Sequence, residues 1–302
     1  MTISTVSQFD QLLMLPGVTD LLVNSANDVF VSRGSRPLER VESPFASDHE
    51  LDDCVRQIMQ AHGKHIDQAS PFADCYTENL RIHAILASAC TAKTRVSVRV
   101  HSKRNFALDQ LVALGTMPPE VATFLRAIVH KKQSFLISGA TGSGKTTLLR
   151  AMLLEAVDDR IIAIEDIPEL RIDSGHFISL ATRQANVENR GAISLNQLLT
   201  ESLRMRPDRL VVGEVRSSEL LTLLEALNTG HSGAGSTIHA NSLDAVPSRL
   251  ELLAFRSGVS AMQLAKLVAS AISWVVHIEN QRVTSIGKFA KQETLEVEHV
   301  WP

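Results

Sequence analysis

The residues with the clearest chemical pattern lie in one Gly-rich segment, residues 139–147. They fit the spacing G-x-x-x-x-G-K-[ST], with Gly139, Gly144, Lys145 and Thr146 at the fixed positions. Glycines allow successive backbone N–H groups to point at phosphate oxygens, because no Cβ stands in the way. The Lys145 ammonium is expected to reach the β- and γ-phosphates of a nucleotide, and the Thr146 hydroxyl to ligate Mg²⁺. The residues expected to form this triphosphate site are Gly139, Ala140, Thr141, Gly142, Ser143, Gly144, Lys145, Thr146 and Thr147.

The context of this segment also fits the chemistry. An apolar strand is predicted at residues 134–138 and an amphipathic helix at 146–157, so the loop lies where a helix N-terminus faces the phosphates. A Gly-rich turn without function is the alternative, and the flanking strand and helix argue against it. The chain has no N-K-x-D guanine motif, which favours ATP over GTP.

Two further apolar segments end in acidic residues. Residues 209–212 predict a buried strand followed by Glu214, and 160–165 predict another that ends at Glu165 and Asp166. Open α/β sheets bind ligands at the carboxyl ends of their strands, so Glu214 is expected to face the γ-phosphate. It would orient or deprotonate water, or hold Mg²⁺. The alternative for Glu214 is a surface carboxylate paired with Arg216. Glu165 or Asp166 would bind the metal or position water, and the alternative for each is an ordinary solvated loop carboxylate.

Two histidines, His231 and His239, flank a Gly/Ser-rich stretch. Two histidines without further nearby ligands make a poor zinc site. They are better interpreted as neutral imidazoles that, with Thr237, sense the γ-phosphate, although one of the two could be purely structural.

The pattern of elements divides the chain into two parts. Residues 1–105 predict a small α+β domain, 106–117 a linker, and 118–302 an α/β domain in which strands and helices alternate. Such alternation predicts a mostly parallel sheet covered by helices.

Bulk composition excludes several classes of protein. The 302 residues are 44% hydrophobic and 21% charged, with a net charge of −3, so no overall basic field favours nucleic acid. Three cysteines without C-x-x-C spacing argue against a disulfide framework and against a structural zinc site. No signal peptide and no stretch long enough for a transmembrane helix is recognised, so we expect a cytoplasmic protein.

Taken together, these segments resemble the bacterial secretion ATPases of the type II/type IV superfamily, the group of VirB11, PilT and GspE. The matching segments are GATGSGKTT for Walker A, AIEDIPEL for the Asp box, MRPDRLVVGEVR for Walker B and TGHSGAGSTIHAN for the His box. The flanking stretches resemble the TadA/CpaF branch, which assembles tight-adherence (Flp) pili: LVNSANDVFVSRG, FALDQLVALGTMPPEVATFLRAIV and ATRQANVENRGAISLNQLLTESLRMRPDR.

The resemblance implies a hexameric motor with a RecA-like P-loop domain, ATP and Mg²⁺ as ligands, and a position at the cytoplasmic face of the inner membrane beside a platform protein. It implies that Glu214 is the catalytic glutamate, Glu165 the Asp-box acid, and His231 and His239 the His-box pair. Arginines that would reach the phosphates within the chain or from a neighbouring subunit are Arg81, Arg95, Arg99, Arg183, Arg190, Arg204, Arg206, Arg209 and Arg216.

Three alternatives stay open at this point. A four-cysteine zinc module like that of GspE-type ATPases is absent from the sequence, which disfavours that branch, whereas a VirB11-like type IV secretion ATPase is the nearest alternative. A nucleic-acid-dependent RecA-like motor is disfavoured by the charge and by the lack of an aromatic, basic stripe. A nucleotide-gated scaffold without catalysis does not explain why Lys145 and Glu214 are both present.

Overall fold

The computed structural model divides into two compact units, residues 1–103 and 104–302. The residues that it describes are 8–34, 36–77, 79–100, 105–172, 175–183, 190–255, 257–290 and 294–302.

The first unit is built on an antiparallel sheet. Its elements are α1 (Gln8–Leu13), β1 (Asp20–Ser25), β2 (Asp28–Ser32), β3 (Glu39–Val41), α2 (Asp48–Ala61), β4 (Phe72–Tyr76), β5 (Leu80–Ile85) and β6 (Arg95–Val100). The strand order is β3-β2-β1-β6-β5-β4, and buried residues alternate along β1, β2, β5 and β6 because only one face joins the core. Helix α2 begins where the Ser47 hydroxyl accepts a hydrogen bond from the Glu50 N–H at 3.2 Å, and its apolar face joins the same core.

The second unit alternates strands with helices over most of its length. Its elements are α3 (Leu108–Ala113), α4 (Pro119–His130), β7 (Phe135–Ser138), α5 (Lys145–Leu153), β8 (Ile161–Glu165), β9 (Phe177–Ala181), α6 (Leu195–Ser202), β10 (Arg209–Val212), α7 (Glu219–Asn228), β11 (Gly235–Ile238), α8 (Ala245–Phe255), α9 (Ala261–Ala271), β12 (Trp274–Glu279), β13 (Arg282–Phe289) and β14 (Val297–Trp301). This unit is the α/β part of the chain.

The sheet of the second unit has the order β14-β13-β12-β7-β11-β10-β8-β9. The six strands from β12 to β9 pair in parallel, while β13 and β14 are antiparallel. Strands β7, β8, β10 and β11 are buried at every residue, as expected when helices cover both faces. Leu136 packs into one core with α7, α8 and α9, whereas Phe135 and Ile137 pack into another with α3, α4 and α5.

The segment expected to be a linker, residues 106–117, lies within the second unit. It contains α3, whose Leu108 and Leu111 are buried in the same core as α4 and α5. Because burying two leucines favours a fixed position, this segment packs as part of the second unit. Among the helices that the structure describes, none combines the length and the apolar character that a membrane span needs.

Candidate functional site

The Gly-rich loop connects β7 to α5, as the sequence predicts, and close packing determines its glycines. A Cβ on Gly139 would lie 2.2 Å from the carbonyl oxygen of Ile278 in the neighbouring strand β12, so no larger residue fits there. Gly144 caps α5 with a left-handed φ of 103°, which glycine adopts without strain. The loop therefore delivers Lys145 as the first residue of α5 and leaves Ala140, Thr141 and Gly142 exposed at its rim.

The Lys145 ammonium lies inside the loop and is only 7% exposed. It donates hydrogen bonds to the carbonyl oxygens of Gly139 at 2.9 Å and Ala140 at 2.7 Å, and approaches His239 Nδ1 at 3.3 Å. Burial lowers the pKa of Lys145 from its ordinary value, and the nearby Glu214 carboxylate partly opposes this. The ammonium is thus positioned at the end of the loop that faces β11 and β10.

His239 connects the lysine to the carboxylate that follows β10. Its Nδ1 faces the ammonium, and its Nε2 lies 3.0 Å from Glu214 Oε1. An ammonium can only donate, so Nδ1 accepts and the proton lies on Nε2, which donates to Glu214. Burial and the charge of Lys145 lower the pKa of His239, which is consistent with a neutral imidazole in this position.

Glu214 is also bound from its other side by Arg216. The guanidinium lies 2.7 Å from Glu214 Oε2 and 3.1 Å from Asp166 Oδ2, so it bridges two carboxylates. Burial raises the pKa of Glu214, but the Arg216 hydrogen bond and the charges of Arg216, His239 and Lys145 outweigh it, and the net direction is downward. An ionised carboxylate with a low pKa is a weak base, so Glu214 is better suited to orienting water than to removing a proton completely.

Glu165 has a different environment from the one expected. Its carboxylate is 4% exposed and accepts hydrogen bonds from the backbone N–H groups of Glu169 at 3.1 Å and Leu170 at 3.0 Å. It also packs against Gly213, where a Cβ would lie 2.9 Å from Glu165 Cγ. The Glu165 carboxyl group therefore holds the loop after β8, and Asp166 is the acid of this pair that contacts Arg216.

His231, in the second unit, is not part of this network. His231 Nδ1 contacts the carbonyl oxygen of Ala226 at 3.3 Å, at the C-terminal end of α7. In the first unit, Arg95 donates to the carbonyl oxygen of Asn24 at 3.0 Å and Arg99 pairs with Asp20 at 3.0 Å.

The other arginines proposed to act on phosphates have their own surroundings. In the first unit, Arg81 lies over the Tyr76 ring at 5.8 Å. Arg209 is 2% exposed and pairs with Asp159 at 2.7 Å, so it is a structural residue and is not available to a neighbouring subunit. The expectation for Arg209 is therefore wrong, because its guanidinium is buried in the second unit.

Sequence reasoning missed one buried polar pair beside the loop. His277 in β12 shares a 2.9 Å hydrogen bond with Ser138, the last residue of β7, and both side chains are buried. Burial lowers the pKa of His277 below its ordinary value. A lone histidine in an apolar strand carries no local signal for such a partner, since Ser138 lies 139 residues away in the chain.

The loop fits a nucleotide triphosphate with Mg²⁺. The Ser143 hydroxyl is buried without a hydrogen-bond partner among the described residues, and a phosphate oxygen would satisfy it. The N-terminus of α5 and the Lys145 ammonium supply positive charge. Thr146, in the first turn of α5, would hold the metal ion, which would neutralise charge on the phosphates.

Two solved structures define the class of fold. The Legionella pneumophila ATPase DotB superposes with a TM-score of 0.64 at 18% identity, covering 97% of this chain and 80% of that one. The pilus retraction motor PilT with bound ADP superposes with a TM-score of 0.63 at 17% identity, covering 98% of this chain and 83% of that one. At these identities the likeness concerns the fold alone.

Sequence comparison identifies the family. The family described as type II/IV secretion system protein matches residues 6–298. A Mycobacterium tuberculosis protein, provisionally named as a conjugal transfer protein, is 38% identical over 281 residues, covering 90% of this chain and 80% of that one. The chain therefore belongs to the type II/IV secretion system protein family, which confirms the resemblance at the level of the superfamily.

Proposed function

We propose that this protein is an ATP-hydrolysing motor of a bacterial secretion or pilus-assembly system, with a RecA-like second domain. The observation that carries the proposal is the continuous contact from Lys145 in the loop, through His239, to Glu214 after β10. This contact would join the ammonium that binds the phosphates to the carboxylate that orients the attacking water. Two structures with this fold, the ATPase DotB and the motor PilT with bound ADP, support it.

The proposed reaction divides roles among the residues of the network. The loop N–H groups and Lys145 would hold the β- and γ-phosphates, and Glu214 would orient the water that attacks the γ-phosphate. Because Arg216 and His239 both bind Glu214, the carboxylate must exchange part of these contacts for water. Arg216 would then stabilise charge on the transferred phosphoryl group, as an arginine finger does. Arg95, Arg99 and His231 remain proposed nucleotide contacts, and Glu165 a proposed metal contact.

Two variants test the assignment. Lys145→Ala is expected to abolish binding of Mg·ATP, whereas Glu214→Gln is expected to bind it with near wild-type affinity and to lose at least about 100-fold in turnover. Lys266→Ala and Glu201→Gln, two exposed positions on α9 and α6, are the matched controls. Phosphate release and equilibrium nucleotide binding are measured on the purified chain. Wild-type turnover by Glu214→Gln would refute its catalytic role.

The system that the motor serves is the second level of the proposal. The flanking sequence segments favour assembly of tight-adherence pili, as a hexamer at the cytoplasmic face of the inner membrane with a platform protein as partner. The name of the 38% identical relative favours a type IV secretion apparatus for conjugal transfer as the alternative. Complementation of a pilus-defective and a conjugation-defective host separates the two. Mass measurement with and without an ATP analogue tests the hexamer.

A further inference from the structure

The turn between β12 and β13 has an unusual residue at its tip. Its two residues, Asn280 and Gln281, have positive φ values of 49° and 63°, and Glu279 pairs directly with Arg282 across the turn. Two-residue turns of this kind favour Asn followed by Gly. Asn280 fits this preference, but the left-handed backbone conformation of Gln281 is less favourable than it would be for glycine. Strained residues of this kind cluster at functional sites, so the Gln281 side chain is a candidate for a functional role.

The tip lies against the Gly-rich loop. The Gln281 backbone N–H donates a 3.0 Å hydrogen bond to the carbonyl oxygen of Ser143. A Cβ built on Gly144 would lie 3.8 Å from Gln281 Cα and 3.9 Å from Gln281 Cγ. The exposed Gln281 side chain therefore starts beside the N-terminus of α5, where the phosphates of a nucleotide would be held.

The order of the strands tells which end of the nucleotide reaches this tip. Strand β7 lies between β11 and β12. Lys145, which reaches the β- and γ-phosphates in loops of this type, contacts His239 and through it Glu214, both on the β11 and β10 side. The terminal phosphate therefore faces β11. The α-phosphate and the nucleoside are then on the opposite flank, beside β12 and its turn.

We propose that Gln281 is the residue that recognises the nucleotide base and sets the preference for adenine. A glutamine amide offers one donor group and one acceptor, and this pair matches the acceptor N7 and the donor N6 amine of adenine. Guanine presents an acceptor at its O6 in place of that amine, so the same amide geometry matches it less well. The inference rests on the proposed nucleotide site and adds to it the origin of base specificity.

The test compares base preference, expressed as the ratio of ADP to GDP affinity in the presence of Mg²⁺. Gln281→Glu keeps the length of the side chain and removes its donor, and its added charge affects both nucleotides equally through their phosphates. Gln281→Gly removes the side chain and favours the turn, so it retains the fold even if the first variant is destabilised. Gln57→Glu, exposed on α2 in the first unit, adds the same charge elsewhere.

Wild type is expected to bind ADP more tightly than GDP by about tenfold, and both Gln281 variants to reduce that ratio at least about fivefold. Gln57→Glu is expected to leave it unchanged. A wild type that binds both nucleotides equally, or variants that keep the wild-type ratio, would overturn the inference while the proposed function stands. A wild type that binds neither nucleotide would refute both.

Discussion

Replacing Glu165 by glutamine is expected to change how the stability of the second unit depends on pH. The carboxyl group is 4% exposed and accepts hydrogen bonds from the N–H groups of Glu169 and Leu170. Burial raises the pKa of Glu165 to about 8, although these hydrogen bonds and the charge of Arg150 act in the opposite direction. Glutamine has the same shape and can accept the same hydrogen bonds, but it does not titrate.

The size of the effect follows from the difference between the folded and unfolded states. Between the ordinary pKa of 4.5 and about 8, the folded state holds a proton on Glu165 that the unfolded state releases. The stabilisation is therefore complete below pH 4.5 and is lost as the pH rises toward 8. At about 1.4 kcal/mol for each pH unit, the free energy of unfolding falls by about 5 kcal/mol over this window. In Glu165→Gln this decrease in the free energy of unfolding is absent, because the glutamine side chain does not titrate.

The assay is denaturant unfolding at several pH values from about 5 to 8.5, followed by tryptophan fluorescence. Both tryptophans of the chain, Trp274 and Trp301, lie in the second unit, so their signal reports on that unit. Glu201→Gln, exposed on α6, controls for the loss of a surface carboxyl.

One result would refute this reasoning about Glu165. If Glu165→Gln and wild type differ in unfolding free energy by the same amount at every pH, the carboxyl does not titrate in the way its burial implies. If the variant also loses hydrolysis at pH 7 with its stability unchanged, Glu165 acts directly on the substrate or metal.

Two further predictions concern Gly139 in the Gly-rich loop and His277 in the neighbouring strand β12. Gly139→Ala is expected to abolish nucleotide binding in an equilibrium titration, because its Cβ would lie 2.2 Å from a backbone oxygen of β12. The control Gly175→Ala, at a position where nothing lies within 4 Å, should bind nucleotide with wild-type affinity. Burial lowers the pKa of His277 below 6.5, so its neutral form stabilises the protein above pH 6.5 and this contribution is lost as the pH falls below that value. The unfolding free energy of wild type should therefore fall more steeply between pH 6.5 and 5 than that of His277→Gln.

Local pattern was sufficient for the parts of the site that one strand and one loop determine. The spacing from Gly139 to Thr146, together with an apolar strand before it, predicts both the loop and the start of α5. Glu214 follows the same logic, since a buried strand that ends in an acid delivers it to the ligand edge of a parallel sheet.

Features that depend on distant pairing could not be predicted in this way. Whether Glu165 or Asp166 faces the site depends on how the loop after β8 closes on the Glu165 carboxylate, and the two adjacent acids look alike in sequence. The buried partner of His277 and the position of Gln281 depend on the pairing of β12 with β7. Local alternation of strands and helices contains no information about that register.

The place of β12 beside β7 also limits when the nucleotide site can form during synthesis. Strand β7 is made early, but its neighbour β12 and the turn that holds Ser143 are made about 140 residues later. The first unit needs only residues up to 103 for its sheet, so it can fold on the ribosome while the Gly-rich loop still lacks its support. Nucleotide would therefore bind only after β12 and its turn have been made, and it could not assist the earlier stages of folding.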